Sequence, residues 1–307
     1  MVGIDPRRFR GRTALVTGGS DGIGWEIARA LAAGGARVLL PVRSREKGER
    51  AAERIREQVP GARLHLLDLD LTSLESVVSL TGALRDAGEP IEFLVLNAGA
   101  VLLGEGARQV TPDGFERTFQ TNFLGHFALT LGILPLLEAG RARIAVQCST
   151  AASRARIDWG DLQGVRRYGP FRAYRASKLA LGLFGVELAR RSAAAGWGVT
   201  VQLCHPGIAP GSGIAPAIRS LLPEEIVRWA TRRLGNPPEL AASTALAALS
   251  AGPTPLPRMY APSGPFGIAG PPRECDPFPS MLRPGDARML WAVASGLTGC
   301  ADPLSQR

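Results

Sequence analysis

Thr13-Ala14-Leu15-Val16-Thr17-Gly18-Gly19-Ser20-Asp21-Gly22-Ile23-Gly24 is the stretch on which the reading of the fold turns. Thr13 to Thr17 has the length and apolar content of a short buried strand, and Trp25 to Ala33 consists of good helix formers. The glycines between them fit a phosphate cradle. Gly18 permits a tight turn, Gly22 lets the backbone approach a pyrophosphate, and Gly24 lets the helix pack closely on the sheet. The spacing is GxxxGxG rather than GxGxxG, and the order strand, glycines, helix carries the signal.

Downstream, the pattern repeats. Arg37 to Val42 reads as the second strand, and no acidic residue stands at its end to bind the ribose diol of NAD. Arg43-Ser44-Arg45-Glu46-Lys47 stands there instead, so a 2′-phosphate would meet cations and NADP(H) is favoured. A charged helix over Arg45 to Gln58 leads to a third strand, Arg63 to Leu67, which delivers Asp68-Leu69. Asp68 is placed either to accept from an adenine amino group or to cap the next helix. Ile91 to Leu96 is the fourth strand, and Asn97-Ala98-Gly99 at its end leaves room for a flat cofactor. Strand-helix units in succession predict an α/β fold, a Rossmann-type doubly wound parallel sheet with helices on both faces.

Thr111-Pro112-Asp113 predicts the start of a helix that runs to about Glu138 and carries Asn122 in an apolar stretch. A buried Asn must be hydrogen-bonded, so Asn122 is either a structural plug or part of a polar site. His126, one turn later, reads as a packing histidine. Arg143 to Cys148 is the fifth strand, with Ser149 at the carboxyl edge where open parallel sheets bind ligands. After an irregular stretch over Thr150 to Arg172, a helix over Ala173 to Ala195 opens with Tyr174-Arg175-Ala176-Ser177-Lys178. Tyr174 and Lys178 are one turn apart on one face, and an ammonium beside a phenol favours the phenolate. All basic residues but Lys47 and Lys178 are arginine, so a lysine here points to a need for a compact ammonium. Val199 to Cys204 is the sixth strand and ends in His205-Pro206-Gly207-Ile208. Ile208 to Leu234 reads as a loop with one or two amphipathic helices, Pro238 to Ser250 as a helix, and Arg288 to Leu297 as another. Gly252 to Gly285 holds ten of the 24 prolines and is expected to lack regular structure, wrapping the body or covering a pocket.

The composition narrows the function classes. A formal charge of +9 is spread as arginine pairs rather than gathered on one face, which speaks against a nucleic-acid partner. No apolar run of membrane-spanning length and no apolar leader core occurs, so a soluble, cytoplasmic protein is expected. The four cysteines and three histidines have no metal-ligand spacing, and buried thiols are expected rather than disulfides or a metal site.

Taken together, Thr17 to Gly24, Asp68, Asn97-Ala98-Gly99, Asn122, Ser149, Tyr174-x-x-x-Lys178 and Pro206-Gly207 make the chain resemble a short-chain dehydrogenase/reductase over roughly residues 10 to 300. Arg43 with Lys47-Gly48, the long interval from Ser149 to Tyr174, Ser177-Lys178-Leu179 and the ending Leu290-Trp291 to Gly299 resemble the retinol-dehydrogenase and protochlorophyllide-reductase branch. The resemblance implies one Rossmann domain, with residues 208–285 as its variable substrate-covering region. It implies Tyr174 as general acid/base, Ser149 as hydrogen-bond partner of the substrate oxygen, Lys178 on the nicotinamide ribose, and Asn122 as holder of a water on the proton path. Gly18, Ser20, Asp21, Gly22, Ile23, Gly24, Arg43, Asp68, Leu69, Asn97, Ala98, Gly99, Pro206, Gly207 and Ile208 would contact the cofactor. Gly211 stands where the family often has Thr, leaving Ser212 as a substitute only if the loop shifts. Pairing through the helices of Asn122 and Tyr174, to a homodimer or homotetramer, is implied as well. The expected activity is NADP(H)-dependent interconversion of a large apolar carbonyl and its alcohol. Reduction of an activated C=C bond, and a cofactor-sensing regulator, are the alternatives.

Overall fold

The structure, a computed structural model, describes residues 5–102, 107–208, 235–254 and 256–304. Thr13–Val16 forms β1, buried beyond its first residue, and Gly22–Ala33 forms α1 with Asp21 as its cap. Arg37–Val42 (β2), Arg45–Gln58 (α2), Arg63–Asp68 (β3), Leu74–Ala87 (α3) and Phe93–Leu96 (β4) continue the alternation. Arg143–Gln147 (β5), the 26-residue helix Pro170–Ala195 (α7) and Thr200–Cys204 (β6) complete the expected order.

The sheet has the strand order β3-β2-β1-β4-β5-β6, with β7 (Met259–Pro262) and β8 (Pro272–Cys275) following β6. All pairs are parallel except β7 with β8. The order reverses between β1 and β4, so their carboxyl ends part to open a crevice, where such folds bind ligands. Each face of the sheet has its own core. Leu69, Val77, Phe123, Phe127, Phe184 and Trp291 fill one, and Trp25, Ile27, Ile55 and Ala245 fill the other.

Two expectations are corrected. The proline-rich segment does contain regular structure, namely β7 and β8. Pro262 ends one strand and Pro272 begins the other, so their missing N–H groups fall where pairing stops. The helix expected from Thr111 begins instead at Arg117. Gly114, at φ 85°, breaks any helix there, and Glu116 becomes the cap, accepting from Thr118 N at 3.0 Å and Phe119 N at 2.6 Å. Asp113 serves another helix, its carboxylate accepting from Leu74 N at the start of α3 at 2.8 Å. The Asn122 segment then runs as Arg117–Phe119 (α4), a π-helical turn (Gln120–Leu124), Gly125–Gly132 (α5) and Leu134–Ala139 (α6).

Beyond β6, Pro238–Ser250 forms α8 on the α1 side, and Pro284–Thr298 forms α9 on the α7 side. Trp291 of α9 packs against Phe127 and Phe184 with ring centroids 5.2 and 5.7 Å away, and the Arg191 guanidinium lies 4.1 Å from its ring. The outer side of the helices bearing Asn122 and Tyr174 is therefore covered by the chain's own C-terminal helix. The expected amphipathic helices before Leu234, with Gly211 and Ser212, lie outside the described residues. Among the described residues, no helix is long and apolar enough to cross a membrane.

Candidate active site

The glycine turn takes the conformations its spacing implies. Gly18 and Gly22 lie at φ 67° and 52°, where a side chain would be strained. A Cβ at Gly24 would lie 2.1 Å from the Gly18 carbonyl oxygen and 2.5 Å from Asn97 Nδ2, so only glycine lets α1 sit this close to the β1 and β4 ends. The Asp21 side chain accepts from Gly22 N at 2.7 Å. Asn97 reaches across, its Nδ2 donating to the Thr17 carbonyl at 3.0 Å. The turn, Ser20 and Ile23 included, thus offers helix N-terminal amides beside β4, an arrangement that fits a pyrophosphate.

Ser149 follows β5, and its Oγ accepts from Ala151 N at 3.2 Å, capping the short 3-10 turn Thr150–Ala152. Its hydroxyl also faces the Tyr174 phenol of α7 closely enough to favour the phenolate. Lys178, one turn on and buried, donates from Nζ to the Gln147 carbonyl at 3.0 Å. A Cβ on Gly99 would lie 3.1 Å from that Nζ and 3.3 Å from Asn122 Oδ1, so the bare backbone after Asn97-Ala98 forms the wall between them. The expected acidification of Tyr174 is not seen. Burial pushes the phenol above its usual value, opposed by the Ser149 hydroxyl, while burial pushes Lys178 down to about 8. The spacing of the pair is as read, but their dielectric surroundings reverse the phenol's shift.

Asn122 proves fully buried and fully engaged. Its Oδ1 accepts from Ala100 N at 2.7 Å, and its Nδ2 donates to the Ala100 carbonyl at 3.0 Å and to Ser177 Oγ at 2.9 Å. Ser177 Oγ in turn donates to the Tyr174 carbonyl at 2.8 Å. His126 is a satisfied histidine, as expected, with Thr17 Oγ1 2.9 Å from Nε2 and the Asn122 carbonyl 3.0 Å from Nδ1.

The remaining expected contacts lie along the same edge but apart from this centre. Arg43 is exposed at the end of β2. Asp68 is exposed at the end of β3, 3.7 Å from Arg45, with Leu69 buried behind it. Asp68 caps no helix, since Ser73 holds that place on α3. Pro206-Gly207-Ile208 is held by the C-terminal region. Gly207 is at φ 75°, Ile208 N donates to the Ile268 carbonyl at 3.0 Å, and Asn236 Nδ2 donates to the Pro206 carbonyl at 3.3 Å. Ser280 Oγ donates to the Ala152 carbonyl at 2.9 Å, tying the same region to the turn after Ser149. Asn236 and Ser280 carried no signal of this in the sequence, because their partners lie far along the chain. The two buried thiols, Cys148 and Cys204, flank Lys178, and burial raises both pKa values, Cys148 to about 12.

The sequence profile of the short chain dehydrogenases matches residues 12–220. Human retinol dehydrogenase 13 is 39% identical over 201 residues, 65% of this chain and 59% of that protein. The chain spans about 60% of the length of the curated relatives it matches. An uncharacterised protein from Mycobacterium paratuberculosis, solved by crystallography, is 32% identical with a TM-score of 0.77, covering 96% of both chains. The Pseudomonas aeruginosa RhlG/NADP active-site complex is 27% identical with a TM-score of 0.62, covering 79% of this chain and 90% of that one. With the profile matched over most of its length and a retinol dehydrogenase among its relatives, the chain belongs to the short-chain dehydrogenase/reductase family, on the retinol-dehydrogenase-like branch.

Proposed function

We propose that this protein is an NADP(H)-dependent ketoreductase or alcohol dehydrogenase acting on a fairly large, apolar carbonyl compound or its alcohol. The observation that carries the reading is a buried Tyr174 held protonated, with the Ser149 hydroxyl acting on it and Lys178 one turn along α7, at the sheet's carboxyl edge. Bound NADP(H) supplies the hydride acceptor or donor. The glycine turn and α1 amides would hold its pyrophosphate, and Asp68 with Leu69 would lie toward its adenine. Arg43, with no acid at the β2 end, favours the 2′-phosphate, and RhlG is solved with NADP. Retinol dehydrogenase 13 is named for a large apolar alcohol, which favours that substrate class.

In the reducing direction, Ser149 donates to the substrate oxygen and orients it. As the carbonyl carbon gains a hydride, its oxygen gathers negative charge, and the Tyr174 proton moves to it. The phenolate left behind would be stabilised by the Lys178 ammonium one turn along α7, and it takes up a proton from solvent before the next cycle. A phenol held protonated by burial is matched to the donating role. Asn122 fixes Ala100 beyond Gly99 and steadies the wall against Lys178. Of the substrate-covering region read over 208–285, the described part ties to this edge through Asn236 and Ser280, beside which an apolar substrate would bind.

The test is NADPH oxidation with aromatic and polycyclic ketones. Tyr174→Phe should keep cofactor affinity and lower turnover by at least about a hundredfold. Consumption of activated alkenes but of no ketone would shift the reading to C=C reduction. A Phe variant with full activity would remove Tyr174 from the chemistry.

A further inference from the structure

His126 is fully buried, and its ring connects two parts of the site that the backbone leaves separate. Thr17 Oγ1 has one proton and two lone pairs. Both lone pairs are taken, because Asn97 N and Ala98 N donate to it at 2.9 and 3.0 Å. The hydroxyl must therefore donate, and both the Val95 carbonyl, at 3.1 Å, and His126 Nε2, at 2.9 Å, lie within its reach. A proton on Nε2 would be a third donor aimed at a filled oxygen. On the other side of the ring, Nδ1 lies 3.0 Å from the Asn122 carbonyl, which can only accept. Both contacts require the same tautomer, with Nδ1 protonated and Nε2 bare. Burial holds the imidazole neutral, with its pKa pushed down to about 4.

We propose that His126, as its Nδ1–H tautomer, is a positioning residue for the proton-transfer group. It completes an unbroken line of hydrogen bonds from the cofactor edge to the catalytic tyrosine. The line runs from the Asn97 and Ala98 amides through Thr17 Oγ1, the His126 ring, Asn122 and Ser177 Oγ to the Tyr174 carbonyl. The need for it comes from the π-helical turn over Gln120–Leu124, where Gly125 N bonds the Gln120 carbonyl five residues back and the regular ladder is broken. Asn122 sits in this widened turn, and the imidazole holds its carbonyl. With the backbone held, the Asn122 amide keeps its grip on Ala100 and Ser177, and through Ser177 on the first turn of α7. His126 touches neither substrate nor cofactor in this arrangement; it acts through Asn122.

This inference rests on the reductase reading, and the two fail separately. His126→Phe keeps the ring volume and deletes both hydrogen bonds. It should lower kcat at least about tenfold while both KM values stay within about twofold, the split expected when alignment rather than binding is lost. His126→Gln retains one donor and one acceptor and should recover most of the loss. Wild-type kcat in His126→Phe, or equal kcat in the Phe and Gln variants, overturns the proposal, as does a rise in KM alone. If Tyr174→Phe is inactive and His126→Phe is not, only this inference falls. If Tyr174→Phe is active, the reductase reading falls first. A tautomer measurement on the wild-type protein stands apart from activity and from the folding of any variant. Nitrogen-15 spectra of the His126 ring should show a protonated Nδ1 and a bare Nε2, and the opposite pattern overturns the strut.

Discussion

At Lys178 the cost of the site can be followed by pH. The folded pKa, about 8, lies below the ordinary lysine value of 10.5 because burial disfavours the ammonium. Between those values the unfolded chain binds more protons than the folded one. The penalty to the fold is therefore fully present below about pH 8 and is relieved as pH climbs toward 10.5. Lys178→Met removes the buried charge. It should stabilise the protein at pH 7 by up to about 3 kcal/mol, lose that advantage progressively above pH 8, and abolish turnover. Urea unfolding of both proteins at pH 7 and pH 10 tests this, and an advantage that does not shrink with pH would refute it. The sequence contained the spacing of Tyr174 and Lys178 and the rarity of lysine, and both are legible one-dimensional facts. The direction of the Tyr174 shift was not legible, because it depends on how completely α7 and its neighbours exclude water from the phenol.

Among the elements, the best-read parts are those whose partners are sequence neighbours. The strand, glycine turn and α1 form as read because Gly18, Gly22 and Gly24 each answer a local demand of backbone angle or clearance. The turn after β2 is of the same kind and allows a prediction about cofactor choice. A charge-assisted contact from Arg43 to a phosphate contributes about 1.5 to 3 kcal/mol, or roughly ten- to over a hundredfold in affinity. Arg43→Ala should weaken NADPH by that factor and leave NADH nearly unchanged, in titrations at one salt concentration. Wild-type protein that binds NADH as tightly as NADPH would disprove the assignment. Thr111-Pro112-Asp113 starts no helix, for the converse reason. Its cap-like letters are used across the fold, with Asp113 on α3, while Gly114 stops the local helix. The prolines of β7 and β8 do not prevent strands either, since a strand that ends at its proline keeps its remaining ladder.

The whole molecule closes around α9. Trp291 lies in the aromatic cluster of Phe127 and Phe184, and Arg191 bonds Glu187 at 2.8 Å and Asp302 at 2.7 Å beside it. With α9 seated there, pairing of two copies through the Asn122 and Tyr174 helices would have to displace it. Trp291→Ala should cost about 3 to 5 kcal/mol in denaturant unfolding, as large aromatic truncations in cores do. A smaller loss would mean that α9 is not an integral part of the core. The sequence by itself determined the parallel α/β architecture, the glycine turn between β1 and α1, and the spacing that sets Tyr174 and Lys178 one turn apart after Ser149. Each depends on short-range geometry: the period of a strand or helix, the angle a glycine allows, the single turn between two side chains. Only the tertiary structure decided that β7 and β8 extend the sheet, that α9 covers the helices expected to pair, and that His126 bridges Thr17 and Asn122. Those outcomes depend on burial and on hydrogen bonds between residues far apart in the chain, and no local pattern encodes which distant surfaces will meet.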